Sequence, residues 1–592
     1  MSEWNFFAEL KRRNVVRMAG LYLVGAWLLT QVASTVLPTF DVPSWALRGL
    51  IITLVLGFVP ALIFSWVFEL TPQGLKRDED VSPEQSIAPQ TARRMDRMII
   101  VVLALALGYF VVDKWMLTPG RGDAKSHAAR PNELIAPAPA KSIAVLPLLN
   151  ESGDPKDEYF SDGLSEELIA ALAQIRELKV IGRSSSFRFK DRREETKTIG
   201  EKLGVATLLE GTVRKQGDRV RIVAELINAA DGIALWTRTF DRELKDIFAV
   251  QQEIAAAVAT SLKVTLLGSD ERPATHSATA NIEAHNAYLL GHYHFQRRNL
   301  EDYRKSVTHF DEAIRLDPGY ALAYTERSEA WTIIGDLTDQ GQTAWPKARS
   351  DAEQAVAIAP DLAEAHSALG WVRVFTEWKF AEGLKELRRA KELSPSNPTA
   401  NDLLSRVLVY VGNLTEAEKL AREAIELDPL AFAPPFNLAR TLWFAGKLDE
   451  ADAAARKAAE LQPGAASTHR YQVFVAIRRG DVEAALREAE LEPDDSYRRF
   501  ELALAHFARK DYAAADAALA ELINKSRDIA AYQIAQVYAV RGEADKAFEW
   551  LQISFDTHDT GTLGLLVDPF FRDLRDDPRY KTLVAKMNFP AR

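Results

Sequence analysis

The hydrophobic pattern divides the chain in two. Residues 18–37 and 49–68 are each twenty residues without a charge, and 98–117 begins with fifteen uncharged residues before Asp113 and Lys114. About 20 apolar residues are needed for a helix to cross a bilayer. The first two runs therefore predict spanning helices, and the third a shorter one whose charged end snorkels beside Trp115. Beyond 117 no long apolar run recurs, and the pattern becomes that of folded polar domains. A cleaved leader is the alternative for the first run, since Lys11, Arg12, Arg13 and Arg17 precede it, but a second span follows directly. Basic residues set the orientation: four lie before the first run and five, Lys76, Arg77, Arg93, Arg94 and Arg97, between the second and third, against Arg48 alone between the first and second. That bias places the amino terminus in the cytoplasm and everything after the third span outside it. No span carries a charge at its centre, so an anchor is expected rather than an ion pathway.

Residues 118–140 are rich in Ala, Pro and Gly and read as a linker. Short apolar runs then alternate with helical spacing. Residues 142–148 predict a buried strand. A helix follows, with Asp162 as its expected N-cap and Leu164, Leu168, Ile169, Leu172 and Ile175 on one face. A second strand at 178–182 and a short helix over 199–203 precede three strands at 206–215, 220–228 and 233–241, and a helix at 247–262 closes the unit. Val220, Ile222, Ala224 and Leu226 give the middle strand of the three one apolar face. The order β-α-β-α-β-β-β-α predicts an α/β sandwich over 141–267. The serines at 184–186 and the Ser152-Gly153-Asp154 stretch are turn chemistry, because neither has the glycine spacing and lysine of a phosphate loop.

From 281 to 592 the pattern is helical throughout and repeats. Gly412, Gly446 and Gly480 are 34 apart, as are Ala417, Ala451 and Ala485, and Pro429 and Pro463 keep the step. A small residue where two helices cross and a proline where the second stops are packing requirements. Pro318 and Pro360 are 42 apart, which predicts a longer loop in the polar stretch 335–343. About seven repeats and a capping helix over 568–587 are expected. A 34-residue helical period resembles the tetratricopeptide repeat (TPR), which implies an all-α solenoid whose first helices line a concave face. In the regular frame that face holds Asp402 and Arg406, then Phe436, Arg440 and Trp443, then Arg470. Arg406 and Arg440 share one repeat position, a candidate basic rung for a peptide carboxylate or an acidic motif.

The strings KSIAVLPLLNESGDPKDEYFSDGLSEELIAAL, VIGRSSSFRFKD and LLEGTVRKQGDRVRIVAELINAADGIALWTRTFDREL resemble the TolB amino-terminal-like (FlgO-type) domain, and FFAELKRRNVVRMAGLYLVGAWLL resembles the membrane module of such proteins. The resemblance implies a bacterial envelope interaction fold, often fused to TPRs, and supplies no catalytic residues.

Composition narrows the function further. A net charge of −10 argues against a general nucleic-acid binder. Zero cysteines exclude disulfides, thiolate metal sites and cysteine nucleophiles. His285, His292 and His294 are spaced seven and two apart and do not share one helical face, so no metal is expected there. No HExxH, GxSxG or GxxxxGK[ST] pattern occurs. The expectation is a multidomain protein: three transmembrane helices, an α/β domain and a TPR solenoid. It is anchored in the bacterial inner membrane with its bulk periplasmic, acts without cofactor or catalysis, and binds a protein or peptide partner. A sensory role related to repeat-containing adenylate cyclases or transcriptional regulators is the alternative.

Overall fold

The computed structural model describes residues 138–590, apart from 176, 191–193, 263–278 and 339, and a scatter of positions at 18–30, 53–60 and 68–77. The chain forms two compact units, Met1–Glu133 and Leu134–Arg592. In the first, the Tyr22 hydroxyl donates to the Leu54 carbonyl at 2.8 Å, and its ring lies 5.5 Å from Phe58. Gly57 leaves room for this, since a Cβ there would stand 2.6 Å from the hydroxyl oxygen. A hairpin of β1 (Phe68–Thr71) and β2 (Gly74–Arg77) follows, so Phe68 opens a strand rather than ending a span. Of the expected spans, 98–117 lies wholly, and 18–37 and 49–68 largely, outside the described residues; the linker 118–140 does so except at its end. Among the described residues no helix is long and apolar enough to cross a membrane.

The second unit opens with an α/β domain. Its sheet runs in the order β5 (Lys179–Val180), β3 (Ser142–Val145), β6 (Thr207–Gln216), β7 (Arg219–Asn228), β8 (Ala234–Glu243), with β4 (Leu149–Asn150) also on β6. β3 is parallel to β5 and β6, whereas β6, β7 and β8 are antiparallel. The single strand expected at 142–148 is broken. Val145 pairs with Leu209 and Leu149 with Thr212, four residues against three, so one extra residue bulges beside Pro147. Val220, Ile222, Ala224 and Leu226 are buried. They share one core with α1 (Glu158–Ala173) and α4 (Ile247–Ser261). The other face packs Ala144, Ile181 and Leu208 on α3 (Thr196–Leu203).

Asp162 does not cap α1. The helix begins a turn earlier, after the short helical turn Pro155–Asp157 that Asp154 caps, which leaves Asp162 inside it and buried. Lys190 Nζ donates to both its oxygens at 2.7 Å. A buried carboxylate needs such a cation more than an N-terminus needs that particular cap.

The solenoid contains eight helix pairs among the described residues, one more than the repeats expected. They are α5 (Ile282–Phe295) with α6 (Leu300–Leu316), α7 (Ala321–Leu337) with α8 (Gly341–Ile358), α9 (Ala363–Phe375) with α10 (Phe380–Leu393) and α11 (Pro398–Tyr410) with α12 (Leu414–Leu427). Then come α13 (Ala433–Phe444) with α14 (Leu448–Leu461), α15 (Arg470–Arg479) with α16 (Val482–Leu491), α17 (Asp495–Ala508) with α18 (Tyr512–Ser526) and α19 (Ala531–Val540) with α20 (Ala544–Asp556). In seven of the eight pairs the turn contains a left-handed residue among the described residues. Gly412, Gly446, Gly480 and Gly542 supply it with φ of 83, 74, 77 and 76°, whereas Arg298, Trp378 and Lys510 do so without being glycine. Lys510 therefore hides the pair α17–α18 from a search for periodic glycines. The loop expected at 335–343 is also absent, because α7 and α8 are longer by added helical turns and only 338–340 connect them. The capping helix is shorter than 568–587: a 3₁₀ turn Pro569–Leu574 precedes α21 (Pro578–Lys586), which Asp577 caps.

Candidate protein-binding site

The first helix of each pair contacts the first helix of the next, α9 to α11 to α13 to α15 to α17, so these helices line the inner face. The residues expected there lie on them: Asp402 and Arg406 on α11, Phe436, Arg440 and Trp443 on α13, and Arg470 at the start of α15. Asn437 Nδ2 donates to the Asp402 oxygens at 2.6 and 2.8 Å. Arg440 donates from Nη2 to Asn437 Oδ1 at 2.8 Å and from Nη1 to the Tyr410 hydroxyl at 3.3 Å. One polar chain thus links two adjacent repeats.

Each arginine also lies over an aromatic ring, Arg406 at 4.1 Å over Trp371, Arg440 at 5.4 Å over Tyr410 and Arg470 at 4.1 Å over Tyr497. Stacking holds the guanidinium planes without using all their donors. Nε of all three, and Nη2 of Arg470, are buried and make no hydrogen bond within the protein. Burial pushes Asp402 up, against the nearby Arg406. Burial would also raise Tyr410, but Arg440 and Arg406 outweigh it and its phenol is held below the usual range.

Phe436 is half-buried between Phe432 and Tyr471, each 5.3 Å away. Trp443 does not belong to an open face. It is 2% exposed and packs on Phe474 and on Phe570 of the carboxyl-terminal segment. That segment folds back along the solenoid. Asp568 accepts from the Tyr532 hydroxyl and Gln536 Nε2, and His558 stacks on Trp378 at 3.9 Å. A periodic frame gives no sign of this, because 557–590 lies outside the repeat. Farther along the inner helices Glu501 is fully buried and neither of its oxygens has a hydrogen-bond partner in the protein.

The α/β domain docks on the solenoid through residues the sequence flagged for other reasons. His292 Nδ1 is 2.7 Å from Glu326, and its Nε2 meets Glu166 of α1. Burial would depress this imidazole, but the two carboxylates outweigh it and hold His292 well above the usual range. His285 Nε2 lies 2.7 Å from Glu167, and His294 Nδ1 2.7 Å from Asp302. Each of the three histidines therefore has a carboxylate partner, two of them from another domain. Among the described residues no group of three or more ligands could hold a metal.

Residues 183–186 form a single helical turn, α2 (Arg183–Ser186). The Ser185 amide donates to Asp428 Oδ1 and the Leu430 amide donates to Ser185 Oγ, both at 2.7 Å. Gly182 permits the approach, since a Cβ there would stand 2.8 Å from the Asp428 carboxyl carbon. Arg188 adds a bond to the Leu461 carbonyl at 2.6 Å.

Two family models match parts of the chain. Residues 139–257 match the HilA/YgeH-like transcriptional regulator, second domain, a different description from the TolB amino-terminal-like one expected, and residues 436–464 match the tetratricopeptide repeat. A protein of Rhizobium meliloti (strain 1021) named "Putative adenylate cyclase 3" is 31% identical over 270 residues, 43% of this chain and 46% of that protein. The chain thus spans about half the length of this relative. Among solved structures, PilW, a type IV pilus biogenesis factor, is similar at 20% identity over 41% of this chain and 93% of its own, with a TM-score of 0.28. A thermophilic TPR protein of Thermus thermophilus is similar at 19% over 35% and 98%, with a TM-score of 0.28. Human IFIT1, solved with m7Gppp-AAAA, is similar at 13% over 53% and 78%, with a TM-score of 0.35. The carboxyl-terminal half of this chain is a helical solenoid that contains a tetratricopeptide-repeat match at 436–464, and an α/β domain is docked on it.

Proposed function

We propose that this protein is a non-enzymatic adaptor of the bacterial envelope. Apolar segments in 1–117 anchor it in the inner membrane with the amino terminus in the cytoplasm, and the α/β domain and solenoid act in the periplasm by binding a protein or peptide. The observation that carries this reading is the row of half-buried arginines on the inner helices, each stacked on a ring. Guanidinium groups held this way pair readily with a carboxylate. The ligand is therefore a segment with a terminal carboxylate or an acidic side chain, seated beside Phe436. The experiment compares fluorescent peptides ending in a free carboxylate with the same peptides amidated, on the wild type and on Arg440→Glu. Carboxylate-dependent binding, weakened at least tenfold by the substitution, supports the reading. Equal binding of both peptide forms contradicts it.

A second reading is favoured by the two matches described above, a transcriptional-regulator domain and a relative named as an adenylate cyclase. In it the α/β domain and solenoid sense a ligand, and the signal passes to another protein. Ligand-dependent change in cross-linking between Ser185 and Leu430, placed as a cysteine pair in this cysteine-free chain, separates the readings; a pure adaptor leaves that joint unchanged.

A further inference from the structure

β8 lies at one edge of the sheet, and among the described residues it pairs with β7 alone. It is ten residues long and contains no proline or lysine; its charges, Arg238, Asp241, Arg242 and Glu243, are of both signs and so restrict which strand can pair with it. Ile233 and Leu235 at its start are 61% and 48% exposed. Trp236, Arg238 and Phe240 point to one face, opposite Leu226, Ala224 and Ile222 of β7, and the Arg238 guanidinium lies 5.8 Å from the Trp236 ring and 6.0 Å from the Phe240 ring. Thr237, Thr239 and Asp241 point to the other, where Asp241 accepts from Arg219 and Arg221.

We propose that β8 pairs antiparallel with β8 of a second copy of this chain, about a two-fold axis through Thr239, and joins the two sheets into one. An axis normal to the sheet must pass through a residue, because opposed side chains share a face. Three neighbouring centres fail on the sequence. Centring on Arg238 sets that arginine against itself, and centring on Phe240 sets Arg238 against Arg242; like charges directly opposite are unfavourable. Centring on Thr237 pairs only 234–240 within the strand.

The Thr239 centre pairs 235–243 and contains no like-charged rung. Arg242 stands opposite the half-buried Trp236, which gives two cation–aromatic rungs, and Arg238 stands opposite Phe240, whose ring is buried in the core. On the other face Asp241 stands opposite Thr237 and the two Thr239 residues meet. The strand is complementary to itself in this register, which is what an isologous contact requires.

The absence of cysteine makes the register directly testable in the full chain, purified in detergent. Residues directly opposite have Cα atoms about 4.5–5.5 Å apart, inside the range a disulfide spans. The two copies of residue 237 would be offset by four residues, about 13 Å. Light scattering should give the wild type twice the chain mass. Mild oxidation should convert Thr239→Cys, but not Thr237→Cys, to a covalent dimer. Thr239→Lys, an exposed substitution that opposes two ammonium groups, should halve the mass while the circular dichroism spectrum stays that of the wild type. A wild type at the chain mass, cross-linking of Thr237→Cys equal to that of Thr239→Cys, or an undiminished Thr239→Lys dimer overturns the proposal.

Discussion

Replacing His292 by alanine would open the joint between the α/β domain and the first two repeats. Both ring nitrogens face carboxylates, Glu326 on Nδ1 and Glu166 on Nε2, so the ring donates twice and is an imidazolium. Without it Glu166 keeps Arg183 at 2.7 Å and Glu326 keeps the Tyr288 hydroxyl at 2.7 Å, but the cation between them is gone. Removing one partner of a buried pair costs about 3–5 kcal/mol. These side chains retain 14–15% exposure, which puts the loss near the lower end, about 3 kcal/mol.

The pH dependence has a definite sign. His292 is raised in the folded chain despite its burial, so its contribution is whole below the unfolded value of about 6.5 and is lost as the pH climbs through the higher folded value. Glu329, pushed up to about 8 by burial and by Glu326 beside it, works in the same direction, because its carboxyl must ionise inside the fold as the pH rises. Burial would raise Glu166, but His292 and Arg183 outweigh it; its support is present above about 4.5 and fades as the pH falls through its depressed value. Hydrogen exchange of the α1 and α5 amides reads the joint locally. At about pH 6 the alanine variant should exchange about a hundredfold faster there, a difference that shrinks as the pH rises through the raised value of His292. Adding Glu326→Gln should recover part of the loss, since it removes the carboxylate left unpaired. Unchanged exchange at pH 6, or a gap that widens with pH, would refute the reasoning.

Three further outcomes follow from packing. Gly211→Ala would bring a Cβ within 1.9 Å of the Val223 carbonyl oxygen in the middle of the β6–β7 ladder; a loss of about 2–3 kcal/mol in urea unfolding is expected. Phe571→Ala empties a fully buried site against Tyr532 and should cost about 3–5 kcal/mol, with hydrogen exchange rising first in α19 and α20. Lys510→Gly relieves a left-handed residue at φ 65° and should stabilise the fold by several tenths of a kcal/mol, seen as a higher melting temperature, whereas Gly446→Ala should lower it.

Local rules carry the sequence reading where the structure is periodic. The glycines at 412, 446 and 480 mark turns that need positive φ, and Val220 to Leu226 alternate because one face of β7 is buried. The rules stop where another residue type takes the glycine's place, as Lys510 does, or where the contact is far apart in sequence. Ser185 and Asp428 are 243 residues apart, and neither turn chemistry nor helical spacing predicts that they meet. Asp162 departs from its expected role for a related reason. An aspartate before an apolar run has the outline of a cap, but the partner that fixes its place, Lys190, comes 28 residues later. The inner arginines are half legible: their shared repeat position is visible in the sequence, but the rings they stack on are not at a shared one.

A photo-crosslinking residue in place of Phe436 on the inner face tests the central claim most directly, with Lys457 on the second helix of the same pair as the control. In intact cells the account predicts a discrete adduct from position 436 that is absent from 457 and is lost when Arg406 and Arg440 are both changed to glutamate. An adduct pattern that is the same from both positions, or one indifferent to the two arginines, would contradict it.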